Sequence, residues 1–226
     1  MSALDIDIRA KWFDGEQVLG HVQAEVPLGQ RVALLGPSGI GKSTLLALIS
    51  GTDKTFEGSV QRPSGRLAMI FQTPRLLPWR TLVQNIILVP GAEDESKARA
   101  LLADVGLENA SDSHPEKVSL GMQRRAAIAR AMAVSPSTLL MDEPLVSLDP
   151  EAAVEMRRLL VKAMDRTAAT AMFATHDRFE ALTLADRVLE LGGSPARIIR
   201  DRVSPLARSE RTAEPVSALV EEWFGA

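Results

Sequence analysis

The chain has 226 residues, 46% of them hydrophobic and 24% charged, with a net charge of −3 and no cysteine. That length and apolar content suffice for one substantial core, or one core with an inserted subdomain, and argue against disorder. The missing thiols exclude disulfides and thiolate metal sites and fit a reducing compartment, and a mild negative charge with scattered basic residues gives no electrostatic reason to expect nucleic acid.

The opening residues, Met1-Ser2-Ala3-Leu4-Asp5-Ile6-Asp7, lack the basic start and apolar core of a signal peptide. No apolar run approaches the roughly 18 residues needed to cross a bilayer, so a soluble protein is expected, with any membrane role coming through a partner. The first strand is predicted over Leu4–Ala10, with Trp12 and Phe13 just beyond it, and the second over the aliphatic run Arg31–Leu35. That second strand leads into Gly36-Pro37-Ser38-Gly39-Ile40-Gly41-Lys42-Ser43-Thr44, and a helix is predicted over Ser43–Ser50. Glycines at 36, 39 and 41 let the backbone curl so that its N–H groups point at phosphate oxygens, and the helix presents its positive end to the same place. Lys42 is then placed to reach the β- and γ-phosphates, and the Ser43 hydroxyl to ligate Mg²⁺. The loop implies a bound nucleoside triphosphate.

A strand over Arg66–Phe71 follows, and from Gln72 to Ser137 the pattern turns helical: Leu82–Leu88, Glu95–Val105 and Leu120–Val134 are predicted helices with no strand among them. An inserted helical subdomain accounts for this interruption. Thr138–Met141 is a buried-strand run that ends in Asp142 and Glu143, placing two carboxylates at a strand's carboxyl end beside the phosphate loop. Asp142 would hold Mg²⁺ and Glu143 would polarise the attacking water, with Lys42 and Glu143 on opposite sides of the γ-phosphate. Asp149-Pro150 opens a helix over Pro150–Arg166 whose stripe of Ala152, Met156, Leu159, Leu160 and Ala163 reads as core. The strand Thr170–Ala174 is followed by Thr175 and His176, and that strand-end position gives His176 a γ-phosphate contact. His21 and His114 have no such setting and read as structural or solvent-facing. A helix over Arg178–Ala185, strands over Arg187–Leu191 and Arg197–Arg200, and a helix over Glu214–Phe224 complete the chain. The last helix carries Val216, Leu219, Val220, Trp223 and Phe224 at helical spacing, which suits packing on the body or a partner groove.

These motifs together make the chain resemble the nucleotide-binding subunit of an ABC transporter over essentially its whole length. The Walker A loop stands at 36–44 and the Walker B strand at 138–143, with Gln72 at the Q-loop position, Ser147-Leu148-Asp149 at the D-loop and His176 at the switch histidine. Val118-Ser119-Leu120-Gly121-Met122-Gln123-Arg124-Arg125 stands where the family has its LSGGQ signature. Leu120 departs from it, replacing the first glycine, while Ser119 as helix N-cap still makes an anion site with Gly121.

The resemblance implies an α/β fold: a P-loop NTPase (RecA-like) core with a parallel sheet, an N-terminal antiparallel β portion and an inserted α-helical subdomain. One ABC ATPase domain is expected over 1–226, with the core at 1–72 and 136–205, the helical subdomain at 73–135 and a helical tail at 206–226. It further implies that Phe13, with Trp12 as the alternative, stacks on adenine, and that Gln72 contacts Mg²⁺ or the attacking water. Ser119, Leu120, Gly121 and Met122 would meet ATP held by the opposite subunit of an ATP-bound homodimer. The Leu76-Leu77-Pro78-Trp79-Arg80 segment resembles the importer branch for nitrate, sulfonate and taurine, as does the short stretch after Arg200. Permease subunits and a solute-binding protein are the implied partners, at the cytoplasmic face of the cell membrane. Export or lipid traffic, and a non-transport nucleotide-gated scaffold, are the alternatives. Leu76, Leu77 and Trp79 either receive a short permease helix or fill the small helical core.

Overall fold

The computed structural model describes residues 2–92 and 94–225. The chain divides into two compact units: one of residues 1–64, 140–143 and 170–226, the other of residues 65–139 and 144–169.

In the first unit, strand β1 (Ser2–Phe13) pairs antiparallel with β2 (Glu16–Leu19), β3 (Val22–Pro27) and β5 (Glu57–Gln61). Leu4, Ile6, Ile8 and Ala10 alternate inward along β1, as do Val22, Ala24 and Val26 along β3, so each strand buries one face. Strands β2, β3 and β5 were not among the predicted elements. The second sheet runs β10 (Arg197–Val203), β9 (Arg187–Gly192), β4 (Arg31–Leu35), β8 (Thr170–Thr175), β7 (Thr138–Asp142). There β4 is parallel to both β8 and β9, and β10 closes antiparallel on β9. Every residue of β4 and β8 is buried, the run expected of parallel strands covered on both faces. Helix α1 (Lys42–Ser50) packs on β8, and α6 (Arg178–Leu184) packs on β4, β8 and β9. Helix α7 (Ala213–Phe224) lies on α6 with Val216 and Leu219 buried, which decides between the two roles open to it in favour of the body. Arg178 and Arg202 clamp its end, each donating to a backbone carbonyl (Phe224 O, 3.3 Å; Trp223 O, 3.1 Å) while lying over the same residue's ring.

The second unit is built on α4 (Leu120–Ala133), which packs against α2 (Leu82–Ile87), α3 (Glu95–Asp104), α5 (Pro150–Thr167) and β6 (Leu67–Ile70). Each helix start has its cap. Thr81 and Gln84 form a reciprocal capping box, and Asp94, Ser119 and Asp149 accept from the first turns of α3, α4 and α5. On α5 the predicted stripe holds at Met156, Leu160 and Ala163, which are buried, whereas Ala152 and Leu159 are only half-buried. No helix among the described residues is long and apolar enough to cross a membrane.

Candidate functional site

The phosphate loop joins β4 to α1. Gly36 N–H donates to Thr175 O at 3.3 Å, fixing the loop's start to the end of β8. Gly41 caps α1 at φ 109°, a conformation glycine alone adopts without strain, and a Cβ there would stand 2.7 Å from Leu19 Cδ2. At Gly36 a Cβ would meet the Leu191 carbonyl oxygen at 2.9 Å, so this glycine answers to a neighbouring strand rather than to a turn.

Lys42 is 4% exposed and its ammonium donates back to the loop carbonyls Gly36 O (2.8 Å) and Pro37 O (2.9 Å). Those carbonyls hold the cation over the concave side of the loop, where a phosphate oxygen is a stronger, charge-assisted acceptor. Ser43 Oγ donates to Asp142 Oδ1 at 2.8 Å. A hydroxyl and one carboxylate suit Mg²⁺, which takes one or two protein oxygens and completes its octahedron with phosphate and water. Among the described residues no cluster of three or more His, Cys, Asp or Glu forms a competing metal site.

Glu143 follows β7 with φ 45°, a left-handed backbone rare outside glycine, and its N–H donates to Ala174 O at 3.1 Å. The bend carries its carboxylate between two partners: Lys42 Nζ at 3.6 Å and His176 Nδ1 at 3.7 Å from the same oxygen. Lys42 and Glu143, expected on opposite sides of the γ-phosphate, stand 3.6 Å apart. Residues 42, 43, 142, 143 and 176, spread along the chain, converge in the first unit.

Phe13 and Trp12 are both about half exposed, 47% and 50%. They differ in their support: Lys11 Nζ lies 4.3 Å from the Phe13 ring centroid, whereas among the described residues Trp12 has no cation or ring contact. Sequence reading passed over Lys11, since a lysine within a strand signals nothing until its partners are known.

The remaining predicted residues lie in the second unit. Gln72 is exposed after β6. Ser119 Oγ accepts from Met122 N–H at 3.2 Å as the cap of α4, while Leu120 stands 52% exposed rather than packed. Ser147 is exposed with φ 57°, Leu148 is half-buried, and Asp149 Oδ1 accepts from Ala152 N–H at 2.9 Å. Trp79 is 69% exposed and Leu76 and Leu77 half-buried, so the tryptophan does not fill the helical core. Its loop is nevertheless held firmly: the buried Asn85 accepts from Leu77 N–H and donates to the carbonyls of Leu77, Arg80 and Thr81. His21 faces solvent beside Asp7, and His114 precedes a short 3-10 turn.

The family model described as ABC transporter matches residues 19–146. The chain is 40% identical over 220 residues to the aliphatic sulfonates import ATP-binding protein SsuB 1 of Pseudomonas syringae pv. syringae, covering 91% of each chain. It is 41% identical over 217 residues to SsuB 1 of Pseudomonas aeruginosa strain UCBPP-PA14, covering 90% of this chain and 87% of that one. Among solved structures it resembles the ATP-binding cassette MJ0796, a dimer in a post-hydrolysis state with ADP and Pi, at a TM-score of 0.78 and 27% identity over 92% of this chain and all of that one. Phosphate loop, acidic strand end and histidine in one unit, together with these likenesses across nearly the whole length, lead to one conclusion: the chain belongs to the ABC transporter family.

Proposed function

We propose that this ABC ATPase powers import of a small organic anion of the sulfonate class, the solute that names its relatives. The single observation carrying the chemistry is Glu143, held between Lys42 and His176 at the mouth of the phosphate loop. The loop N–H groups and residues 36–44 bind the triphosphate, and Lys42 exchanges its two carbonyl partners for β- and γ-phosphate oxygens. Ser43, Asp142 and Gln72 would hold Mg²⁺, which would supply charge neutralisation at those phosphates. Glu143 orients the water and takes its proton, and His176, 3.7 Å away, contacts the γ-phosphate. Phe13 stacks on adenine.

An ATP-bound homodimer completes the site through Ser119, Leu120, Gly121 and Met122 of the opposite subunit, with Ser147, Leu148 and Asp149 at the same junction. This reading is supported by Gly121, the second residue of α4: a Cβ there would meet nothing nearer than Ser119 Oγ at 3.8 Å, so among the described residues no close contact calls for a glycine. A close approach from outside the chain gives that glycine its reason. The exposed Trp79 on a stapled loop supports docking of permease subunits, which place the ATPase on the cytoplasmic face of the membrane, with a solute-binding protein in the complete system. We propose one ABC ATPase domain over 1–226, with a core at 1–72 and 136–205, a helical subdomain at 73–135 and a tail at 206–226. The test is reconstitution with a permease and a solute-binding protein of a sulfonate import system: sulfonate-stimulated ATP hydrolysis and uptake are expected. Stimulation by unrelated solutes alone would refute the substrate class.

A further inference from the structure

Lys11 is the most enclosed amine of the N-terminal sheet, 3% exposed near the end of β1. An ammonium has three N–H donors, and here each direction has its acceptor. Asp53 Oδ2 lies at 2.7 Å, Thr55 O at 2.8 Å, and the Phe13 ring centroid at 4.3 Å. Desolvating a lysine is costly, and an apolar residue of similar volume would fill the same space more cheaply. The charge therefore has a use that packing alone does not supply.

Its anchors lead to the phosphate loop. Helix α1 begins at Lys42 and ends at Ser50, capped by Gly51, whose N–H donates to Ala47 O and Leu48 O. Asp53 N–H also donates to Ala47 O, at 3.2 Å, and Asp53 Oδ1 accepts from Thr55 N–H at 2.9 Å, making a tight turn clamped onto the helix end. The same carboxylate, held below the usual carboxylate range first by the Lys11 hydrogen bond, grips the ammonium with its other oxygen. The ring of Phe13, a residue 47% exposed, thus rests on a cation bolted to the helix that starts in the phosphate loop.

We propose that Lys11 is a positioning residue for the nucleotide base: its ammonium, fixed by Asp53 and Thr55, sets the plane and distance of the Phe13 ring relative to helix α1, so that base stacking and triphosphate binding occur in one rigid frame. The proposal rests on Phe13 as the stacking aromatic. Lys11 does not touch the nucleotide. It makes the ring's orientation a property of the folded protein instead of a cost met on binding.

The experiment is calorimetric titration of the full chain with Mg-ATP and, separately, with Mg-tripolyphosphate, which has no base. Lys11→Met should weaken ATP binding about five- to thirty-fold, the range of a partly desolvated cation–π contact, and leave tripolyphosphate binding unchanged. Unchanged tripolyphosphate binding also reports that the variant has folded. Phe13→Leu should lose a similar factor for ATP, and the double variant little more than either single one, because both remove the same contact. Loss of ATP affinity with Phe13→Leu but none with Lys11→Met overturns the proposal and leaves Phe13 as the stacking residue. No loss with Phe13→Leu removes the stacking assignment and the proposal with it. Equal losses for both ligands with Lys11→Met also overturn the proposal, because Lys11 would then support the phosphate loop and not the ring.

Discussion

Replacing Glu143 by Gln separates two jobs that one carboxylate performs. In the structure its oxygen stands 3.6 Å from the Lys42 ammonium and 3.7 Å from the His176 ring, with 15% of the side chain exposed. The amide keeps the shape but accepts no proton, and general-base catalysis contributes about 10²-fold or more, equivalent to about 2.7 kcal/mol of barrier. The charge lost has a second effect. Lys42 is attracted to Glu143 across 3.6 Å in a partly buried site, and that attraction competes with phosphate for the ammonium. Glu143→Gln releases Lys42, so ATP binding should be retained or tightened while hydrolysis falls by about 10² or more. Single-turnover hydrolysis of labelled ATP beside equilibrium binding measures both. A wild-type rate, or loss of binding together with loss of rate, would show that Glu143 is not the water-activating group.

The other predictions address assembly, coupling and stability. Leu120 is 52% exposed, so Leu120→Gly should change turnover by less than about tenfold, whereas Ser119→Arg, which sets a bulky cation at the subunit junction, should abolish it; normal steady-state hydrolysis by Ser119→Arg would exclude that segment from the site. Because Trp79 is 69% exposed, Trp79→Ala should leave the melting temperature and ATP binding unchanged while permease co-purification and solute-stimulated hydrolysis are lost; unaltered uptake in reconstituted vesicles would move the docking surface elsewhere. Burial alone would raise the Asp186 carboxyl, but hydrogen bonds from Arg208, the Arg31 backbone N–H and Arg211 outweigh it and hold it lowered to about 2 from 3.8. A depressed folded-state value contributes stability above about pH 4 that is lost as the pH falls toward 2, on the order of 2 kcal/mol, so Asp186→Asn should lower the melting temperature at pH 7 and flatten its acid dependence between pH 4 and 2; an unchanged acid profile would refute this account.

The phosphate loop was legible in the sequence because its physics is local: glycines that allow the curl, a strand before and a helix after, all within residues 31–50. The acidic end of β7 and the capped helices of the second unit were legible for the same reason, since caps and buried aliphatic runs act over a few neighbours. Strand β5 was not, for its residues are mainly polar and become a strand by pairing with β1, about fifty positions away, whereas β2 pairs with β1 across the nearby Asp14-Gly15 turn and was missed because its run of four residues is short. Strand β3 does alternate, Val22, Ala24, Val26, but its small side chains between Gly20 and Pro27 make a weak signal. Tertiary structure alone decided that Glu143 meets both Lys42 and His176, through a left-handed turn that no propensity announces in a glutamate. It alone decided that α7 packs on α6, that Trp79 and Leu120 face solvent, and that Lys11 supports the Phe13 ring. Local sequence sets which conformations a segment can adopt; which of its side chains are buried, exposed or paired depends on residues forty to a hundred positions away, brought near only when the sheets close.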